Sequence, residues 1–187
     1  MDWQPLARRL LHALPLLALC LPTQARAVDE GELKAAIVFN ILLFVDWPAQ
    51  ALPEPGGVLA LCVGPGSALK SALKALHGRP IRAFQLAVRD LPPAATVAES
   101  AATAAPECHA VFVDAADRAH MAASVRAQRA GGALMVSDDV DAPRDATAIV
   151  LQRMGNRIAF DVNLQPVRQA GLQLSSKLLR LARVVRE

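Results

Sequence analysis

Tyrosine is absent from this chain, tryptophan occurs twice and phenylalanine five times. So few aromatics leave no platform on which nucleic-acid bases could stack and no aromatic shelf for carbohydrate. A strong charge of one sign is missing too: 20 Lys and Arg stand against 17 Asp and Glu. No basic face able to displace counterions is expected, and hence no nucleic-acid partner. No apolar run reaches the roughly 20 residues that a bilayer span requires. The histidines His77, His109 and His120 are not at metal-ligand spacing from one another or from a cysteine pair, so no zinc site or other cofactor is expected. Gly-x-Ser-x-Gly does not occur, and Ser175-Ser176-Lys177 lacks the spacing of Ser-x-x-Lys hydrolases. Enzyme chemistry has no motif here.

What is present begins with a leader. Arg8 and Arg9 form a positive start, Leu10 to Leu21 an apolar stretch broken only by His12 and Pro15, and Ala25-Arg26-Ala27 a small-x-small cleavage site. The reading is a signal peptide over 1–27, cut after Ala27, and one domain over 28–187 exported to a bacterial periplasm. A membrane anchor is disfavoured because the apolar run is too short. A lipoprotein is disfavoured because Leu19, before Cys20, is not small. Arg8, Arg9 and Arg26 leave with the leader against only Asp2, so most of the net charge of +3 belongs to it.

Loss of Cys20 leaves Cys62 and Cys108, an even count in an oxidising compartment, and a disulfide is expected. Two free buried thiols are the alternative. Cys62 lies within the apolar run Val58 to Val63, and Cys108 directly precedes the run His109 to Val113. A thiol nucleophile with His109 as its base is disfavoured, because neighbours in a strand point to opposite faces.

The periodicity predicts a mostly buried helix over 33–45, ended by Trp47-Pro48, and strands over 58–63, 83–91, 109–113 and 133–137. Gly64-Pro65-Gly66 turns the first strand into a helix with Ser67 as its cap and Leu69, Leu73 and Leu76 inward. A short helix is expected in the alanine-rich stretch up to 105, and another from Asp114 to about Arg129, closed by Gly131-Gly132. Gly155-Asn156 predicts a hairpin joining 148–154 to 157–163. Two helical pieces follow, over 164–170 and 175–186, separated by Gly171. The fold class is α/β: a single-domain three-layer sandwich, with a mixed sheet carrying a C-terminal β-hairpin and helices on both faces.

Two features could bind ligands. The Gly64 to Ser67 turn sits where glycine loops cradle phosphate, but it lacks the third glycine of the dinucleotide fingerprint, and Pro65 removes an amide. A plain turn is the better reading. In the last helix Lys177, Arg180, Arg183 and Arg186 recur every three residues opposite Leu174, Leu178, Leu181 and Val185, forming a basic ridge. Its plain reading is a solvated face favoured by the helix dipole, and its functional reading is a contact for an anion or acidic partner.

The segments Lys34 to Pro48 and Ala170 to Ala182, together with Leu61-Cys62-Val63, Cys108 to Val113 and Val136-Ser137-Asp138, resemble the YfiR family over essentially the whole exported chain. The resemblance implies a small periplasmic regulator, non-catalytic and homodimeric, with a disulfide at Cys62 and Cys108. It implies binding to, and inhibition of, an inner-membrane diguanylate cyclase or the periplasmic domain of a related sensor kinase, which lowers cyclic di-GMP and restrains biofilm formation. Reduction of the disulfide, or capture by an outer-membrane lipoprotein, would release the target. The chain departs from the family pattern at Asp145 to Val150 and lacks a second cysteine pair found in some members. The partner surface is expected on the exposed side of the first helix, at Asn40, Asp46 and Trp47, and on the final ridge, at Arg168, Lys177 and Arg180. The alternative is a small-ligand sensor feeding another membrane receptor, with the Gly64 to Ser67 turn and the basic ridge as walls.

Overall fold

Asp29 starts the first helix: its Oδ2 accepts from the amides of Gly31 and Glu32, at 3.1 and 3.3 Å. It thereby satisfies two of the donors that every helix N-terminus leaves open, and Glu30 and Glu32 in the first turn complement the helix dipole. This helix, α1, spans Glu30–Leu43 and buries Ala35, Val38, Phe39, Ile41 and Leu42. The computed structural model describes residues 29–91, 108–117 and 132–187. The expected leader, the alanine-rich helix before 105 and most of the expected 114–129 helix, with His120, lie outside the described residues.

Ten strands follow in chain order: β1 (Val45–Asp46), β2 (Val58–Val63), β3 (Pro80–Ile81), β4 (Phe84–Asp90), β5 (Ala110–Val113), β6 (Leu134–Ser137), β7 (Ile149–Met154), β8 (Arg157–Asn163), β9 (Gln173–Leu174) and β10 (Val184–Arg186). Three more helices are α2 (Lys70–Lys74), α3 (Leu164–Gln169) and α4 (Ser176–Leu181). Eight strands form one sheet in the order β10-β8-β7-β6-β5-β2-β4-β3. Strands β4, β2, β5, β6 and β7 run parallel, while β8 turns back antiparallel to β7 through the predicted hairpin. Of the two hairpin residues only Gly155 takes a positive φ, at 63°. Central parallel strands are covered on both faces, which explains why β2, β5 and β6 read as unbroken apolar runs.

Alternation along those strands divides the core. Leu59, Leu61, Val63, Ala110, Phe112, Leu134 and Val136 join side chains from all four described helices in one cluster. Cys62, Cys108, Val111, Val113 and Met135 form a second cluster behind the sheet. The helices expected to cover this second face fall outside the described residues.

The chain's end differs from the sequence expectation. Helix α4 stops at Leu181, and the predicted continuation to 186 is instead the edge strand β10, parallel to β8. The adjacent β-branched Val184 and Val185 favour extended chain, and Arg183 is drawn off the helix by Asp161. Its Nε and Nη2 donate to the two Asp161 carboxylate oxygens at 2.8 and 2.6 Å. The periodic ridge of four cations therefore does not exist: Arg183 and Arg186 both engage Asp161 on the sheet, and only Lys177 and Arg180 remain on the helix. Leu181 and Val185, expected inward, are exposed.

An ion network anchors α1 to the sheet. Lys34 Nζ lies 3.0 Å from Glu30 and 3.0 Å from Asp138, and Arg153 reaches Glu30 at 2.6 Å. Burial disfavours the Lys34 ammonium, yet its hydrogen bonds to Glu30 and Asp138 outweigh this and raise its pKa above the ordinary lysine value. The hydrogen bond from Lys34 holds the Glu30 carboxyl below its usual range, and that from Lys74 does the same for Asp90.

Cys62 and Cys108, 46 residues apart in sequence, are joined in a disulfide with Cα atoms 5.8 Å apart. It ties the C-terminal end of β2 to the segment just before β5. Closing a loop of that length stabilises the fold by up to about 4 kcal/mol on the chain-entropy model. Cys62→Ser is therefore expected to lower the denaturant midpoint substantially, by an amount that reductant reproduces in the parent protein. Depressed carboxylates contribute stability that is present above their unfolded pKa and lost as pH falls. The raised Lys34 contributes below its unfolded pKa and loses this as pH rises past the folded one. Unfolding free energy measured against pH should thus fall in acid and again in strong alkali, and Lys34→Met should remove its share of the alkaline loss.

Candidate docking face

The expected contact residues are positioned by two short connections. Strand β1 leaves α1 and pairs antiparallel with β9, Val45 facing Leu174 and Asp46 facing Gln173. The Ser175 amide then donates to the Phe44 carbonyl at 3.0 Å. Ser175 also caps α4 by accepting from the Lys177 amide. The C-terminus of α1 and the N-terminus of α4 are thereby held side by side, which brings Asp46 and Lys177 onto one region of surface. Asn40 is exposed on α1, and Lys177 and Arg180 are exposed on α4. Half-buried Ile37, Leu43, Phe44, Leu174 and Leu179 lie on these same elements, packed against the core. The face therefore combines a polar rim with partly accessible apolar side chains, the usual make-up of a protein contact.

Arg168 is on a different helix. It lies in the last turn of α3, is exposed, and comes within 3.8 Å of Glu187 beyond β10. Trp47 corrects the expectation of an exposed contact: it is only 7% exposed. Its indole Nε1 donates to the His109 carbonyl at 3.0 Å, because a buried indole N–H needs an acceptor. Sequence periodicity cannot show this, since the acceptor lies 62 residues away.

Sequence reasoning also missed Arg82. Its Nη1 meets Asp46 Oδ1 at 2.8 Å and its Nε donates to the Leu43 carbonyl at 3.0 Å. It thus caps the end of α1 while partly neutralising the Asp46 carboxylate. Arg82 adopts φ 52°, a left-handed conformation uncommon outside glycine. Such a backbone state leaves no pattern in the surrounding residues.

His109 is bound into the sheet. Its amide donates to the Ala60 carbonyl, and its ring Nδ1 accepts from the Ala60 amide at 3.0 Å. Beside an oxidised Cys108, this ring is a backbone acceptor and has no thiol to activate. The Gly64 to Ser67 turn is equally occupied. Asp117 Oδ1 accepts from the Gly66 amide at 2.9 Å, and Asp114 Oδ2 accepts from the Ala68 amide at 2.9 Å. A side chain at Gly64 would collide with Asp117. Carboxylates already fill the place a phosphate would take, so this turn is no anion cradle. Among the described residues no group of three or more His, Cys, Asp or Glu is placed to hold a metal ion, and no helix is long and apolar enough to cross a membrane.

Trp47→Phe shrinks the buried ring and takes the indole donor from the His109 carbonyl, so it should cost about 1–3 kcal/mol in urea unfolding. Arg82→Ala, an exposed pair, should cost about 1 kcal/mol or less in the same assay.

Comparison with known proteins agrees with this architecture. None of the curated proteins matches the chain. Among solved structures, a conserved domain protein of Vibrio cholerae O1 biovar El Tor superposes with a TM-score of 0.56 at 10% identity, over 84% of this chain and 60% of its own. The ABC domain from Streptococcus pneumoniae, solved with L-Trp, gives a TM-score of 0.46 at 8% identity, over 73% of this chain and 57% of its own. The chain thus spans about three fifths of the length of each of these proteins, and the first likeness is one of fold. A YfiR/HmsC-like family model matches residues 31–183, which include α1, both disulfide cysteines and α4, and on that match the chain belongs to the YfiR/HmsC-like family.

Proposed function

We propose that this protein is a periplasmic regulator that binds and inhibits an inner-membrane diguanylate cyclase, or a related sensor, and so lowers cyclic di-GMP. Family membership is the observation that carries the reading. The residues of the chain support it: the leader has the charge, apolar length and cleavage site of an exported protein, and the disulfide suits an oxidising compartment. Inhibition is stoichiometric and works through contact, with the cyclase's periplasmic domain as the partner and an outer-membrane lipoprotein as the competitor that removes it. The protein acts as a homodimer.

The docking surface is the joined end of α1 and α4. Asn40, Asp46, Lys177 and Arg180 form its polar rim, and the half-buried apolar residues between them supply the area removed from water. Arg168 forms a separate, outlying contact. Trp47 contributes from beneath, by fixing the C-terminal end of α1 to the sheet. Opposite charges on one rim set the orientation of the partner more than its affinity.

The test is capture of the cyclase from membranes by the intact protein, compared with Lys177→Glu/Arg180→Glu. Both residues are exposed, so folding should be retained, and the reversal should weaken capture about tenfold or more while thermal unfolding stays unchanged. Equal capture by parent and variant would remove α4 from the docking surface. No capture of any diguanylate cyclase or sensor by the parent would remove the proposed function.

A further inference from the structure

A cavity of about 260 Å³ lies between β7, β8, β10 and the 140–147 loop, and the docking reading makes no use of it. Its charged lining is unbalanced. Arg144, Arg183 and Arg186 supply three guanidinium groups, and Asp161 the one carboxylate among the lining residues. That carboxylate is already committed: Arg183 grips both of its oxygens, Arg186 reaches Oδ2 at 3.3 Å and Gln152 donates to Oδ2 at 3.1 Å. Arg144 has no carboxylate partner among the described residues, although its carbonyl is held by the Asn163 side chain. The cavity therefore has positive charge to spare, on arginines whose planar forks suit carboxylates.

Two further observations indicate an organic anion. Thr147 is 1% exposed, lines the cavity, and has a buried hydroxyl without a hydrogen-bond partner among the described residues. An unpaired buried hydroxyl is unfavourable, and an occupant of the cavity that accepts from it would relieve that cost. Val140, at 61% exposure, lies on the lining together with Val150 and gives one side an apolar wall open to solvent. A simple inorganic anion would leave that wall wet, whereas an aliphatic tail would cover it.

We propose that this cavity binds a small monocarboxylate with a short aliphatic body, its carboxylate at Arg144 and the Arg186 side, and its tail against Val140 and Val150. The cation cluster supplies attraction for the head, and burial of the tail supplies discrimination by length. Each methylene that enters the cavity should tighten binding about fourfold until the cavity is full.

The test is titration of the purified protein with butanoate, pentanoate and hexanoate by ligand-observed NMR, with hexanamide and inorganic phosphate as controls. Saturable binding that strengthens with chain length, is absent for hexanamide, and weakens about tenfold in Arg144→Gln supports the proposal. Arg144 and Val140 are exposed, so Arg144→Gln and Val140→Asp should both fold, and Val140→Asp should abolish the length dependence. Absence of saturable hexanoate binding, equal binding of hexanamide, stronger binding of phosphate than of hexanoate, or binding unchanged in both variants would each overturn it. The titration involves no partner protein, so its failure leaves the docking reading standing.

Discussion

The centre of this fold is held at His109. Its amide and ring bond the two sides of Ala60 in β2, and its carbonyl accepts from both the Leu134 amide of β6 and the Trp47 indole. One residue thus joins two strands and the end of α1, directly beside the cysteine that forms the disulfide. Buried carbonyls tolerate few unpaired positions, so all of these partners must be in place together. The C-terminal end of α1 is located by this node from within. The pairing of β1 with β9 then carries that location to α4. The position of the proposed docking face is consequently set by the sheet's central hydrogen bonds, not by local helix preference.

The disulfide acts on the same node from the other sheet face. Cys62 alternates with Leu61 and Val63, which face the helices, so the bridge lies in the cluster behind the sheet, while His109 bonds β2 and β6. Breaking the bridge removes a restraint on the start of β5, where Trp47 and His109 meet. That gives a physical route from redox state to the proposed docking face: without the bridge, the positions of β5 and of the α1 end are held by hydrogen bonds and core packing without a covalent restraint. At the sheet's far edge, Asp161 does a comparable job. Its two oxygens collect Arg183, Arg186 and Gln152, and so convert a would-be helical tail into an edge strand.

Much of this was legible in the residues. Uninterrupted apolar runs located β2, β5 and β6, and Gly155-Asn156 located the hairpin, because both signals are local. The cysteines predicted their own pairing once the leader was read. What failed depends on distant partners. The spacing of Lys177, Arg180, Arg183 and Arg186 is helical, and the Asp161 carboxylate, 22 positions before Arg183, joins the β-branched Val184 and Val185 in redirecting the chain. Trp47 ends a mostly apolar helix and reads as surface until its acceptor at His109 is known. Of the docking residues, Asp46 and Lys177 come together through β1 and β9, two-residue strands too short to register as a pattern. Arg168 lies on α3, not on α4, and meets Glu187.

The most direct test of the account is cellular cyclic di-GMP measured in the parent strain, a deletion strain and a strain carrying Cys62→Ser at verified protein level. A repressor whose docking face depends on the bridged sheet predicts a rise in the deletion and a rise in Cys62→Ser. No change in the deletion would contradict the central claim that this protein restrains a cyclase.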